Sequence, residues 1–90
     1  MLGGFGVLVT LSDNVTWNSL TTTCFVLASG KNGGVPSTMK YGVGFCIVRG
    51  DYGIQIFLPN SADTNMYVRQ RWSGAWSDAA WKRIAYTAVG

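Results

Sequence analysis

Apolar side chains recur at every second position along most of this chain, the period of a β-strand whose two faces meet different surroundings. Phe5, Val7, Val9 and Leu11 alternate with small residues and predict a first strand with one buried face. Residues 11–22 break the pattern with a polar, turn-rich stretch, in which Ser12 or Asp13 is placed to cap a short helical turn reaching Leu20. Residues 23–29 are β-branched and aromatic and predict a second strand, ended by the Gly, Asn and Pro cluster of residues 30–37.

Alternation resumes at Tyr41. Tyr41, Val43, Phe45 and Ile47 share one face, while Gly42, Gly44 and Cys46 line the other, where another element can approach the backbone closely. Residues 49–53 form a glycine-bearing turn into Ile54, Ile56 and Leu58, and Pro59 closes that strand, so the pair reads as a hairpin. The triplet Arg49-Gly50-Asp51 also spells a cell-adhesion motif, but it stands where the hairpin needs its glycine. A turn at residues 60–65 leads to a strand with Met66, Val68, Gln70 and Trp72 on one face and Tyr67, Arg69 and Arg71 on the other. Ser73-Gly74 turns the chain again, and residues 76–84 return either as a strand or as a short helical turn capped by Ser77 and Asp78. The expected fold is all-β, mainly an antiparallel β meander or small sandwich, with one short helical turn near the N-terminus. Ninety residues hold one core, so residues 1–90 are expected to be a single domain.

Composition narrows the chemistry. The chain has no histidine and no glutamate, and its four acidic residues, Asp13, Asp51, Asp63 and Asp78, are scattered over turn-like segments that account for them. With two cysteines and no clustered ligand spacing, neither a metal site nor any other cofactor is expected. No base stands ready for hydrolysis, neither cysteine has a histidine to activate it, and no phosphate-cradling glycine loop joins a strand to a helix, so the chain does not read as an enzyme. A net charge of +3 without runs of basic residues is too mild for a nucleic-acid footprint. No apolar run is long enough to insert in a membrane, and the N-terminal segment lacks the basic region and cleavage site of a leader. Cys24 and Cys46 read as two buried thiols, although a bridge between adjacent strands is geometrically open to them.

Only 12% of residues are charged against 48% hydrophobic, thin cover for a soluble monomer, and some apolar surface is expected to meet another subunit. Binding chemistry concentrates in residues 66–84, which carry three of the four tryptophans. Tyr67, Arg69 and Arg71, with Trp72 beside them, offer aromatic and guanidinium surfaces on which a glycan ring can stack and hydrogen-bond. They are taken as the candidate ligand residues, with Arg69 and Arg71 as solvated strand positions. Trp72, Trp76 and Trp81 read first as filling the core or a subunit interface.

The strand MYVRQRW, the Ser73-Gly74 turn and the finish from Trp76-Ser77 to Trp81-Lys82-Arg83-Ile84 resemble the knob domains of tail fibres from phages and phage-like bacteriocins, the pyocin-knob family. The earlier segments follow in matching order: TWNSLTTTCFVLASG resembles the opening turn and strand, and YGVGFCIVRGDYGIQIFLP the central hairpin, so the resemblance spans residues 13–84. It implies a virion structural protein of the phage tail, extracellular when it acts. Such a module is usually homotrimeric, sits among other tail-fibre or baseplate proteins, and helps the tail attach to a bacterial surface glycan or protein receptor. A monomeric carbohydrate-binding module of a secreted protein and a purely structural fibre spacer are the alternatives.

Overall fold

A computed structural model of the chain describes residues 7–31, 35–60, 65–76, 79–87 and 89. Among them, six strands form one sheet: β1 (Leu8–Thr10), β2 (Cys24–Ser29), β3 (Tyr41–Arg49), β4 (Tyr52–Pro59), β5 (Asn65–Arg71) and β6 (Lys82–Ala85). Their order in space is their order in sequence, from β1 at one edge to β6 at the other. All neighbours from β2 to β6 are antiparallel. Gly50, at φ 58°, supplies the left-handed backbone that the β3–β4 turn requires.

Several expectations are corrected. The fold is all-β, but as a single sheet and not a sandwich, and β1 runs parallel to β2 instead of continuing a meander. A parallel neighbour needs a connection of a dozen or more residues, and the polar stretch between Leu11 and Cys24 provides it by crossing one face of the sheet. Phe5, expected in the first strand, lies outside the described residues. The helical turn in this crossover is a 3₁₀ turn at Trp17–Ser19 entered from Thr16, not from Ser12 or Asp13. Ser12 instead accepts from the backbone N–H groups of Asn14 (3.2 Å) and Val15 (3.0 Å), a local side-chain turn that competes with helix. A second 3₁₀ turn, Ser37–Met39, had no sequence signal. In the return segment, the Ala79 N–H bonds the Trp76 carbonyl at 2.9 Å and a strand begins only at Lys82, so the segment is a turn followed by a strand. Ser77 and Asp78, its expected caps, lie outside the described residues.

The sheet has one covered face. Strand alternation sends Cys24, Val26, Ala28, Cys46, Gln55, Phe57, Tyr67 and Arg69 to it, and all of these are buried. The cover is made of loops: Leu11, Trp17 and Leu20 from the crossover, Met39 from the second 3₁₀ turn, and Trp76 with half-buried Trp81 from the return segment. The glycine-lined side of β3 belongs to this inner face, as does Gly53 of β4. A Cβ at Gly53 would stand 2.8 Å from Cη2 and Cζ2 of Trp76, so the indole lies directly on the strand backbone.

Candidate functional site

Strand β5 turns its residues the opposite way from expectation. Tyr67 and Arg69 are buried and Arg71 is half-buried, all on the inner face, whereas Trp72 is 76% exposed. The reading of Arg69 and Arg71 as solvated strand positions is therefore corrected. The physical reason is the loop cover, whose carbonyls and indoles give the guanidinium groups more partners than a bare strand face does.

Register aligns Cys24, Cys46, Gln55 and Arg69 as one buried row across β2 to β5. Gln55 donates from Nε2 to the Trp17 carbonyl at 2.8 Å and lies 3.6 Å from the Cys46 sulfur. Its Oε1 accepts from Arg69 Nε at 2.7 Å. Arg69 spends its remaining donors on the carbonyls of Trp76 (3.0 Å) and Ala79 (3.3 Å) and on Asn18 Oδ1 (2.8 Å). Among the described residues these acceptors are all uncharged. Its planar head lies between the Trp76 ring at 5.2 Å and the Trp81 ring at 4.6 Å. Burial lowers the Arg69 pKa to about 10, against a smaller opposing pull from Cys46. Burial also raises both thiols, Cys24 further through the neighbouring Cys46, while Gln55 and the two arginines partly offset the rise at Cys46.

Arg69 thus ties two loops, the crossover and the return segment, to the sheet. Arg71 repeats the theme at the sheet's end, donating to the carbonyls of Gly74 (3.0 Å) and Gly50 (3.1 Å) and lying 5.1 Å from the Trp76 ring. Tyr67 donates to Thr38 Oγ1 at 3.0 Å. A cleft of about 270 Å³ opens among Trp17, Asn18, Val35, Arg69 and Trp81, so part of this knot borders solvent. Of the four residues expected to hold a glycan, Trp72 is the one that stands clear of the protein.

The opposite face of the sheet is built otherwise. Leu8, Phe25, Phe45, Ile56, Val68 and Lys82 align in one row across all six strands. Thr10, Leu27, Val43 and Leu58 make a second row, which Met66 opposite Ile84 carries onto β5 and β6. No described side chain on this face is buried: Val43 is 55% exposed, Ile84 45%, and Leu27, Phe45, Ile56 and Val68 are only half-buried. Grooves indent both ends, one of about 450 Å³ among Leu27, Tyr41, Val43 and Leu58 and one of about 310 Å³ among Ile47, Tyr52, Ile54 and Gln70. Beyond the second groove Arg49 pairs with Tyr52, which is 69% exposed, and Trp72 follows the end of β5. A two-row apolar band with polar or amphipathic ends has the composition of a protein interface, an apolar centre inside a wetter rim.

The alternation that places these residues was readable. Nothing local distinguished the face covered by loops from the face left open, because both carry apolar residues. Among the described residues no helix is long and apolar enough to cross a membrane, and no three potential metal ligands cluster. Comparison with known proteins gives no match to a family model, a curated protein or a solved structure.

Proposed function

We propose that this chain is a non-catalytic structural module of a phage-type tail fibre, a homotrimer assembled through the open face of its sheet and placed to help the virion attach to a bacterial surface. The observation that carries the assembly is the six-strand apolar band on a face with no buried side chain. Isolated monomers seldom leave more than a few hundred Å² of contiguous apolar surface in water. A second copy is the natural occupant, since a sparsely charged surface suits an obligate contact.

The count of three and the fibre role come from the sequence resemblance to knob domains. Attachment draws on the exposed end of the sheet, where Tyr52 and Trp72 offer aromatic faces and Arg49 a cation to a surface glycan. Repetition in a trimer multiplies weak contacts into avidity. Size-exclusion chromatography with light scattering at micromolar chain concentration tests the proposal, with a mass of three chains expected. A dimer would keep the open face as an interface and remove the fibre reading, and a monomer would remove both.

A further inference from the structure

Cys24 and Cys46 are opposite each other on β2 and β3, and both are buried on the inner face. The backbone hydrogen bonds of β2 fix what kind of pair they are. The Phe25 N–H bonds the Val7 carbonyl and the Leu11 N–H bonds the Leu27 carbonyl, each at 2.8 Å, so the odd residues of β2 face β1. Cys24 and the other even residues therefore turn their N–H and C=O toward β3. On the other strand, the Val48 N–H bonds Thr23 Oγ1 at 3.1 Å and its carbonyl accepts from the same hydroxyl at 3.3 Å, so the even residues of β3 face β2. Cys24 and Cys46 are thus a hydrogen-bonded pair, whose Cα atoms lie about 5.5 Å apart. That separation falls inside the roughly 4.4–6.8 Å that a disulfide spans, and both side chains leave the sheet on one side.

We propose that this pair is a built-in oxidation site, two thiols that close into a β2–β3 cross-link when the folded chain meets an oxidant of the disulfide class. One thiolate attacks the oxidant's sulfur–sulfur bond, forming a mixed disulfide and releasing one thiolate. The second cysteine, as thiolate, attacks the protein sulfur of that mixed disulfide, closing the new S–S bond and releasing the other half. The chain gives up two protons and two electrons, and the oxidant leaves as two thiols.

The site is arranged to be slow and then stabilising. The thiols lie under the crossover, beside Gln55, which the Trp17 carbonyl holds in place, so the reaction waits for this cover to open. Burial also keeps both thiols protonated, so the rate rises with pH. Once closed, the bond restrains the 22-residue span from Cys24 to Cys46 in the unfolded chain, which shifts folding by about three hundredfold. The device goes beyond the fibre reading and does not depend on it, because both sulfurs belong to one chain.

Oxidised glutathione is the probe. The folded chain is incubated with it in the absence of denaturant, quenched with acid, and examined by intact mass and by thiol titration after unfolding. The expected product is a single chain lighter by two hydrogens, with no titratable thiol and a raised urea midpoint. Cys24→Ser and Cys46→Ser chains, treated alike, gain no cross-link and no shift. The proposal is overturned if both thiols still titrate, if the cross-link joins two chains, or if it forms only when urea is present. Light scattering on the same samples reports assembly separately, so loss of the trimer reading is not mistaken for loss of this one.

Discussion

The Arg69 guanidinium stands 4.6 Å from the centroid of the Trp81 ring, and this stacking joins the middle of β5 to the last turn of chain before β6. Trp81 in turn meets the Trp17 ring edge-on at 5.2 Å, and Trp17 meets Phe57 at 5.9 Å. A cation at the centre of an aromatic chain holds the crossover, the sheet and the return segment in one arrangement. Replacing Arg69 with Ala strands Gln55 Oε1, Asn18 Oδ1 and two carbonyls and is expected to cost about 3–5 kcal/mol. Arg69→Lys keeps the charge but not the planar fork and is also expected to destabilise. Urea unfolding checks both against Arg49→Ala, an exposed position expected to change stability by less than about 0.5 kcal/mol.

Stability is expected to fall as pH rises above 9 under reducing conditions. The folded thiols of Cys24 and Cys46 are held above their ordinary value of 9.0. Above that pH the unfolded chain releases protons that the folded chain still binds, so unfolding becomes more favourable. Each thiol contributes a slope of up to about 1.4 kcal/mol per pH unit. Arg69 acts in the opposite sense around its folded value of about 10, where the folded form loses a proton that the unfolded form keeps. The comparison with a chain that keeps Arg69 but lacks one thiol separates the two contributions. Urea midpoints measured from pH 7 to pH 10 with reductant should decline, and a Cys24→Ala chain should decline less steeply.

Trp76 is expected to be the costliest tryptophan to remove. It is buried, donates from Nε1 to the Leu20 carbonyl at 2.8 Å and lies over Gly53, Arg69 and Arg71. Trp76→Ala should cost about 3–5 kcal/mol. The same contact read from the other side makes Gly53→Ala destabilising by about 1–3 kcal/mol, since the new methyl meets the ring at less than contact distance. Thermal unfolding of the two chains checks the pair; a harmless Gly53→Ala would mean that the indole does not sit on β4.

Much of the sheet was legible because strands announce themselves by alternation and by what ends them. Residues 24–29, 41–49 and 52–59 emerge from that pattern, with Gly50 marking the turn between the last two. What alternation does not carry is the side from which loops arrive. Leu11, Trp17 and Leu20 lie in a stretch whose local signals are polar and turn-like, and only their burial reveals that the stretch is half of the core. The same gap explains Arg69. A positive residue between Val68 and Gln70 reads as solvated until a distant segment brings carbonyls and two indoles to it, a long-range event with no local signature. Parallel pairing of β1 is equally non-local, since it depends on where the crossover lies.

Charge placed on the open face should dissolve the proposed assembly without unfolding the chain. Val43 and Leu58 are opposite each other at the centre of the second apolar row, 55% and 40% exposed. A Val43→Lys, Leu58→Lys chain is expected to run as a monomer by light scattering, with its monomer fold kept by circular dichroism. The matching change on the inner face, Val26→Lys, buries a charge with no prepared partner and should unfold the chain instead. An oligomer that survives the double substitution would move the subunit contact elsewhere.

Trp72 separates an adhesive module from a spacer. At 76% exposure it adds little to packing, so Trp72→Ala should leave the unfolding midpoint almost unchanged. A large exposed indole at the end of the sheet that also carries exposed Tyr52 needs another purpose, and stacking on a sugar ring is the one its chemistry fits. An array of bacterial surface glycans probed with the assembled protein should show binding that Trp72→Ala and Tyr52→Ala each weaken by roughly tenfold or more, the scale of a lost stacking contact of about 1–2 kcal/mol. The isolated monomer should bind each glycan far more weakly, because avidity requires several copies of the site on one particle. A uniformly blank array would remove the adhesive part of the proposal and favour a purely structural spacer.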